Sequence, residues 1–289
     1  MKSLPLTVRV SSSARLHSVT RLLTVAGPFF LAVVAILASL TGCATTGVNR
    51  GDFNLISSAE EVQMGDSLAV EVGIKYPLLK NATVGAYINE VGQRVASICD
   101  RRDIPYYFSV IADKEQVNAF ALPGGHIYVY AGLLLEASNE AELAGVLAHE
   151  VGHVVARHAM EQLSKEYGYD FLVSLVLGSQ PGWWAETAAN LFGTAGLLKF
   201  SRDDEYEGDK FAVLYTNAAG YSPGAVADFL GKLESLEASE PGKLETLLMT
   251  HPPTSERMSR VRAQVAALSS ASTGSFAERY RSKISSITQ

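Results

Sequence analysis

Between Leu143 and Ala156 every residue is apolar except His149, Glu150 and His153. A helix that is apolar nearly all round is a buried one. Asn139 followed by Glu142 supplies an N-cap with a capping-box partner, and Ala141, Leu143, Ala144, Leu147 and Ala148 are mostly good helix formers, so a central helix is expected from Asn139 to Glu161. Gly152 in its interior costs about 1 kcal/mol against Ala, which implies a close neighbour there. Upstream, Ser57 or Ser58 can cap a helix through Glu60, Glu61 and Met64, and a second helical pattern runs from Val84 through Tyr87, Ile88, Val91 and Val95 to Ile98. Three aromatic and β-branched stretches then read as strands: Tyr106 to Ile111, Gln116 to Leu122 and His126 to Tyr130, divided by Asp113-Lys114 and Pro123-Gly124-Gly125. Beyond the central helix, Phe171 to Gly178 and Ala188 to Phe200 are apolar but separated by Pro181 and Gly182, and each is too short to span a bilayer. They read as core helices over the central one; a lid or membrane-touching surface led by Trp183 and Trp184 is the alternative. Ser201 to Asp204 opens a further helix with a capping box, and Ser222-Pro223 opens another through Leu230, Leu233 and Leu236. The pattern predicts an α+β fold, mainly helical, with a small β-sheet ahead of the central helix.

Composition divides the chain. Of 289 residues, 47% are hydrophobic, enough for a substantial core. Residues 1–42 carry Lys2, Arg9, Arg15 and Arg21, no acid, and an apolar run from Leu22 to Leu40, the form of a secretory signal; a retained membrane-spanning anchor is the other reading. Leu40-Thr41-Gly42-Cys43 resembles the lipobox of bacterial lipoproteins, which would make Cys43 the lipidated first residue of the mature chain. Ala44 then stands where an Asp would resemble the signal for inner-membrane retention, so the outer membrane is favoured. Removing four bases and no acid moves the formal charge from −6 to −10, which argues against nucleic acid as a partner. Residues 43–57 read as a tether, 58–268 as the folded domain, and the Ser-rich 269–289 as a C-terminal tail.

The candidate chemistry sits in the central helix. His149 and His153 are four residues apart and share one helical face, where two imidazoles can hold one metal ion; with Glu150 between them this is the H-E-x-x-H zinc signature. A hydrolytic zinc takes three protein ligands and leaves a fourth position for water. Glu205 and Asp209 are again four apart on one face, whereas Glu207 points elsewhere; the pair suits one ligand and one carboxylate that steadies a ligating imidazole. An acidic first turn favoured by the helix dipole is the plainer explanation. Asn118, Ala119, Phe120 and Ala121 form a candidate edge strand for holding an extended substrate by main-chain bonds. His126, alone at the start of a strand, reads as structural.

Asn118 to Gly125 (NAFALPGG), Gly132-Leu133-Leu134, Asn139 to His153, and Ser201 through Glu205 to Asp209 together resemble peptidase family M48, zincin-like zinc proteases that include HtpX and the CAAX prenyl proteases. The likeness spans roughly Ser58 to Leu268. It implies one Zn2+ per chain on His149, His153 and Glu205, Glu150 as general base, and Asp209 behind the ligands. It is nearest the short periplasmic LoiP- and BepA-like lipoproteins, since no tetratricopeptide array follows. His251, in Thr250-His251-Pro252-Pro253, resembles the family histidine that approaches the metal, as a plug or transition-state stabiliser; Arg257 becomes a supporting or oxyanion-facing cation. The family commonly has Ala where this chain has Gly208.

The resemblance implies a zinc endopeptidase of the cell envelope, lipid-anchored and facing the periplasm. Its expected partners are misfolded or misassembled envelope polypeptides and envelope assembly machinery. Two other classes compete. A di-iron protein needs a second Glu-x-x-His, which the chain lacks. A non-catalytic envelope chaperone or assembly lipoprotein would keep the metal for structure alone.

Overall fold

The computed structural model describes residues 56–165, 199–252 and 254–287. The signal, Cys43, most of the tether and nearly all of the apolar 171–200 region lie outside the described residues.

Helix α1 (Ser58–Lys75) starts at Ser57, whose side chain accepts from the Glu60 amide while Glu60 returns a bond to the Ser57 amide. Helix α2 (Ala82–Ala96) is capped by Asn81. Strand β1 (Tyr107–Ile111), strand β2 (Ala119–Ala121) and strand β3 (His126–Tyr130) form one sheet in the order β1-β3-β2, with β1 parallel and β2 antiparallel to β3. Its alternation serves two cores. Phe108, Val110, Ala119, Ile127 and Val129 face the main one, while Ile111, Phe120, Tyr128 and Tyr130 join Met64, Leu68, Met160 and Leu163 on the other side.

The second strand is shorter than expected. Gln116 and Val117 leave the sheet and bond instead to the carbonyls of Gly242 and Lys243. Asn118 also lies outside β2, though its carbonyl accepts from the Tyr130 amide.

A short helix α3 (Ala131–Glu136) leads into α4 (Glu140–Ala156), the central helix, in which only Val146 escapes full burial. Asn139 caps it through the Glu142 amide; the Glu142 carboxylate accepts from the Ser138 amide, one residue before the cap, and pairs with Lys232 at 2.6 Å. Helix α5 (Arg202–Ala218) crosses α4 so closely that a Cβ at Gly152 would stand 2.8 Å from the Phe211 Cβ, the close neighbour that Gly152 implied. Helix α6 (Gly224–Ser239), α7 (Glu245–Thr250) and α8 (Ser255–Ala266) complete the surround. Each large aliphatic side chain buried here, such as Leu143 or Leu147, contributes roughly 1.5–3 kcal/mol.

The fold continues past Leu268. Helix α9 (Ala277–Ile284) buries Tyr280 and Ile284, with Ile287 just beyond, against the main core, and Tyr280 Oη donates to the Leu134 carbonyl at 2.6 Å. Few apolar positions among many serines and charges gave this segment the look of a tail. Arg279 ties it to buried Glu140, which also accepts from the hydroxyls of Tyr87 and Tyr221.

Candidate metal centre

Helix α4 ends where the chain turns sharply. Arg157 adopts φ 59°, a left-handed conformation that costs a non-glycine residue roughly 1–2 kcal/mol. Its side chain is held: Nε donates to Glu61 Oε2 at 2.8 Å, and Arg101 grips the same carboxylate with two bonds of 2.8 Å each. The turn carries the next residue back beneath the helix, so that His158 Nδ1 lies 2.8 Å from His153 Nδ1.

Four side chains from three parts of the chain converge. His149 and His153 come from α4, Glu205 from the first turn of α5, and His251 from the segment after α7; one ligand atom from each lies within 4.8 Å of every other. His149 Nε2 is 3.0 Å from His153 Nε2, 3.6 Å from Glu205 Oε2 and 3.4 Å from His251 Nδ1. His153 Nε2 is 3.4 Å from Glu205 Oε1, and His251 Nδ1 is 2.7 Å from that same oxygen. Zinc–nitrogen bonds of about 2.0–2.1 Å in a tetrahedron set ligand atoms roughly 3.4 Å apart. Most of these separations fall near that value.

The donor chemistry fits a cation equally well. His149 Nδ1 faces Asp209 Oδ1 at 3.2 Å, so the proton belongs on that nitrogen and Nε2 is left bare toward the cluster. His153 follows the same logic: Nδ1–H donates to His158 Nδ1, whose Nε2–H faces Glu207 Oε2 at 3.2 Å and Asp204 Oδ1 at 3.7 Å. Two bare imidazole nitrogens and a carboxylate then face one another in a buried space. Without a cation that arrangement is costly. With no cation in place a proton takes its position: burial pulls His149 down, but bonds to Asp209 and Glu205 lift it to about 10, while burial and the adjoining His149 hold His153 well below its ordinary value. Glu205 resists the upward pull of burial through His251, His149 and His153 and stays well below the usual carboxylate range. A bound cation would replace the proton that His149 otherwise keeps.

Around this cluster the sequence-predicted residues arrange as follows. Asp209 stands behind His149, its Oδ1 3.2 Å from Nδ1. Arg257 spans Asp209 and Glu205 and points into that carboxylate pair. Glu150, 2% exposed, lies 3.9 Å through Oε1 from His251 Nε2, and its Oε2 has no hydrogen-bond partner among the described residues. In the edge strand, the Asn118 carbonyl accepts from the Tyr130 amide and the Leu122 amide donates to the His126 carbonyl, so alternation turns the main-chain groups of Ala119 and Ala121 outward and those of Phe120 inward. His126 stays away from the cluster, paired with Asp66 at 2.9 Å and stacked on Tyr107.

The sequence reading passed over His158. Glu207, set aside as pointing away, is the carboxylate that holds it. Gly208 also has a reason: a Cβ there would lie 2.9 Å from His149 Cε1 and 3.1 Å from His153 Nε2.

Residues 83–265 match the family model of peptidase family M48, more than half of the chain. The chain belongs to peptidase family M48. It is 30% identical over 216 residues to the beta-barrel assembly-enhancing protease of Escherichia coli (strain K12), a match covering 72% of this chain but only 44% of that protein. It is 26% identical over 258 residues to Metalloprotease YcaL of the same organism, covering 82% of this chain and 96% of YcaL. Similarity to the mitochondrial metalloendopeptidase OMA1 of Schizosaccharomyces pombe is 31% over 220 residues, 74% of this chain and 63% of that one.

Proposed function

We propose that this M48 protein is a zinc-dependent endopeptidase of the cell envelope that cleaves misfolded or misassembled envelope proteins. The observation that carries this reading is the convergence of His149, His153 and Glu205 with, beside them, a Glu150 carboxylate oxygen that has no hydrogen-bond partner among the described residues.

His149, His153 and Glu205 would hold the ion, one per chain. Bound there, zinc would supply Lewis acidity and make a water nucleophile available near neutral pH. Asp209 and His158 keep the two imidazoles in the ligating tautomer. Glu150 takes the proton from the attacking water and delivers it to the leaving amine. The outward main chain of Ala119 and Ala121 holds the substrate extended, an affinity that tolerates many sequences. His251 sits among the ligands and closes the position that water needs; it acts as a plug that withdraws before turnover.

In the same reading residues 1–42 are a signal peptide and Cys43 carries the lipid. The protein then faces the periplasm, with the outer membrane favoured. Similarity to a beta-barrel assembly-enhancing protease supports an association with assembly machinery.

Glu150→Gln tests the mechanism. It is expected to leave zinc binding intact and lower casein cleavage by at least about 100-fold. A variant that digests casein at the wild-type rate would remove Glu150 from its role as base.

A further inference from the structure

Glu61 belongs to α1, outside the metal cluster, yet it is only 1% exposed and takes part in none of the catalytic steps above. Its carboxylate accepts from both terminal nitrogens of Arg101, from Arg157 Nε and, at 3.4 Å, from the Gly124 amide. One anion therefore joins α1 to the end of α4 and to the Pro123-Gly124-Gly125 turn that follows β2. That turn is seated hard on α1. A Cβ at Gly65 would collide with the Pro123 carbonyl, and one at Gly124, where φ is 72°, would stand 2.9 Å from Val62 Cα. On the other side the Arg157 guanidinium also donates to the Ile56 carbonyl, just ahead of α1. Leu122 and Pro123 from one turn, His153 and Arg157 from the other, and Glu61 itself line a single recess of about 240 Å³.

The backbone of Arg157 decides what His158 can reach. At about 100° per residue, a helix continued past Ala156 would set His158 roughly 140° round the axis from His153, off its face. The left-handed residue interrupts that run and brings the two rings to 2.8 Å. Any side chain larger than hydrogen resists this conformation, so other contacts must hold it. The Arg157 guanidinium, tied to Glu61 and to Ile56, is what holds it.

We propose that Glu61 is a positioning residue of the metal centre: by clamping Arg157 in its left-handed turn it keeps His158 beneath His153 and so sets how tightly the zinc is held. The proposal rests on the hydrolase reading for the identity of the ion, and its readout is bound metal rather than cleavage.

The test is the zinc affinity of the full chain, read by competition with a chromophoric chelator, with circular dichroism to check folding. Arg157→Ala removes the clamp but leaves the Glu61–Arg101 pair, and should weaken zinc binding about tenfold or more. Arg157→Gly should recover most of that loss, because glycine takes a positive φ without being held. A side chain that only filled space or balanced charge would make Gly no better than Ala, and that result overturns the proposal. In a His158→Ala background, Arg157→Ala should add less than about a twofold loss, since both act through one ring. Losses that multiply overturn the proposal as well. Glu61→Gln should weaken zinc binding as Arg157→Ala does; wild-type affinity in a folded Gln variant removes Glu61 from the role. If Glu61→Gln does not fold, the Ala and Gly variants of Arg157 decide between them. A wild type that binds zinc but cuts no casein ends the hydrolase reading and leaves the clamp standing, whereas one that binds no zinc ends both.

Discussion

Arg257 grips Asp209 with two parallel bonds, Nε to Oδ2 at 2.8 Å and Nη2 to Oδ1 at 2.7 Å, and turns its remaining nitrogen to Glu205 Oε2 at 2.7 Å. One guanidinium therefore fixes both carboxylates that approach the histidines, and burial, which alone would raise Asp209, is overcome by this contact. Replacing Arg257 by Met takes the guanidinium from two buried carboxylates and leaves them only their histidine contacts, a loss of about 3–5 kcal/mol. Arg257→Lys keeps the charge but not the fork and is expected to recover only a minor part. Urea unfolding checks this; a Met variant with the wild-type midpoint would contradict it.

His158 fixes the ring of His153 without approaching the cluster itself. His158→Ala should weaken zinc binding roughly 10–100-fold, read by competition with a chromophoric chelator. Asn, whose side-chain oxygen can accept near the position of the lost Nδ1, should restore most of the affinity. Equal weakening by Ala and Asn would mean that the site needs only the bulk of the ring.

His251 lies within the cluster, its Nδ1 2.7 Å from Glu205 Oε1. If it is a plug, His251→Ala should raise casein cleavage by more than about twofold, because the competent state no longer has to be reached by its withdrawal. A lower rate would assign His251 to transition-state stabilisation instead.

The buried tyrosines set an alkaline limit. Burial, foremost, raises Tyr87, Tyr106, Tyr215 and Tyr280 far above the usual phenol value. The unfolded chain therefore loses these protons first, near pH 10, while the folded chain keeps them. Their contribution is full below about pH 10 and declines as pH rises from there toward the folded values. Denaturation midpoints should fall more steeply above about pH 9.5 than below it. Tyr87→Phe, which cannot ionise, should lessen the slope.

Local signals in the sequence were strong where local physics decides. The caps at Ser57, Asn139 and Ser201 mark helix starts within a residue, and the periodicity of α4 and α5 puts His149 with His153 and Glu205 with Asp209. The small sheet and mainly helical architecture followed from the same patterns. Long-range relations were hidden. Nothing local to His158 says that a left-handed Arg157, held by Glu61 96 residues away, will bring its ring under His153. Val117 looks like a strand residue until Lys243 supplies its bond. The role of Arg257 is equally remote, since its partners lie in another helix 48 and 52 positions earlier.

The central claim is that a cation held by His149, His153 and Glu205 runs peptide hydrolysis. The most direct test is to strip the full chain with a chelator, titrate zinc back, and follow casein cleavage alongside bound metal. The account predicts no cleavage by the stripped protein and full recovery at one zinc per chain. Cleavage that persists without metal, or stoichiometric zinc binding with no activity, would contradict it.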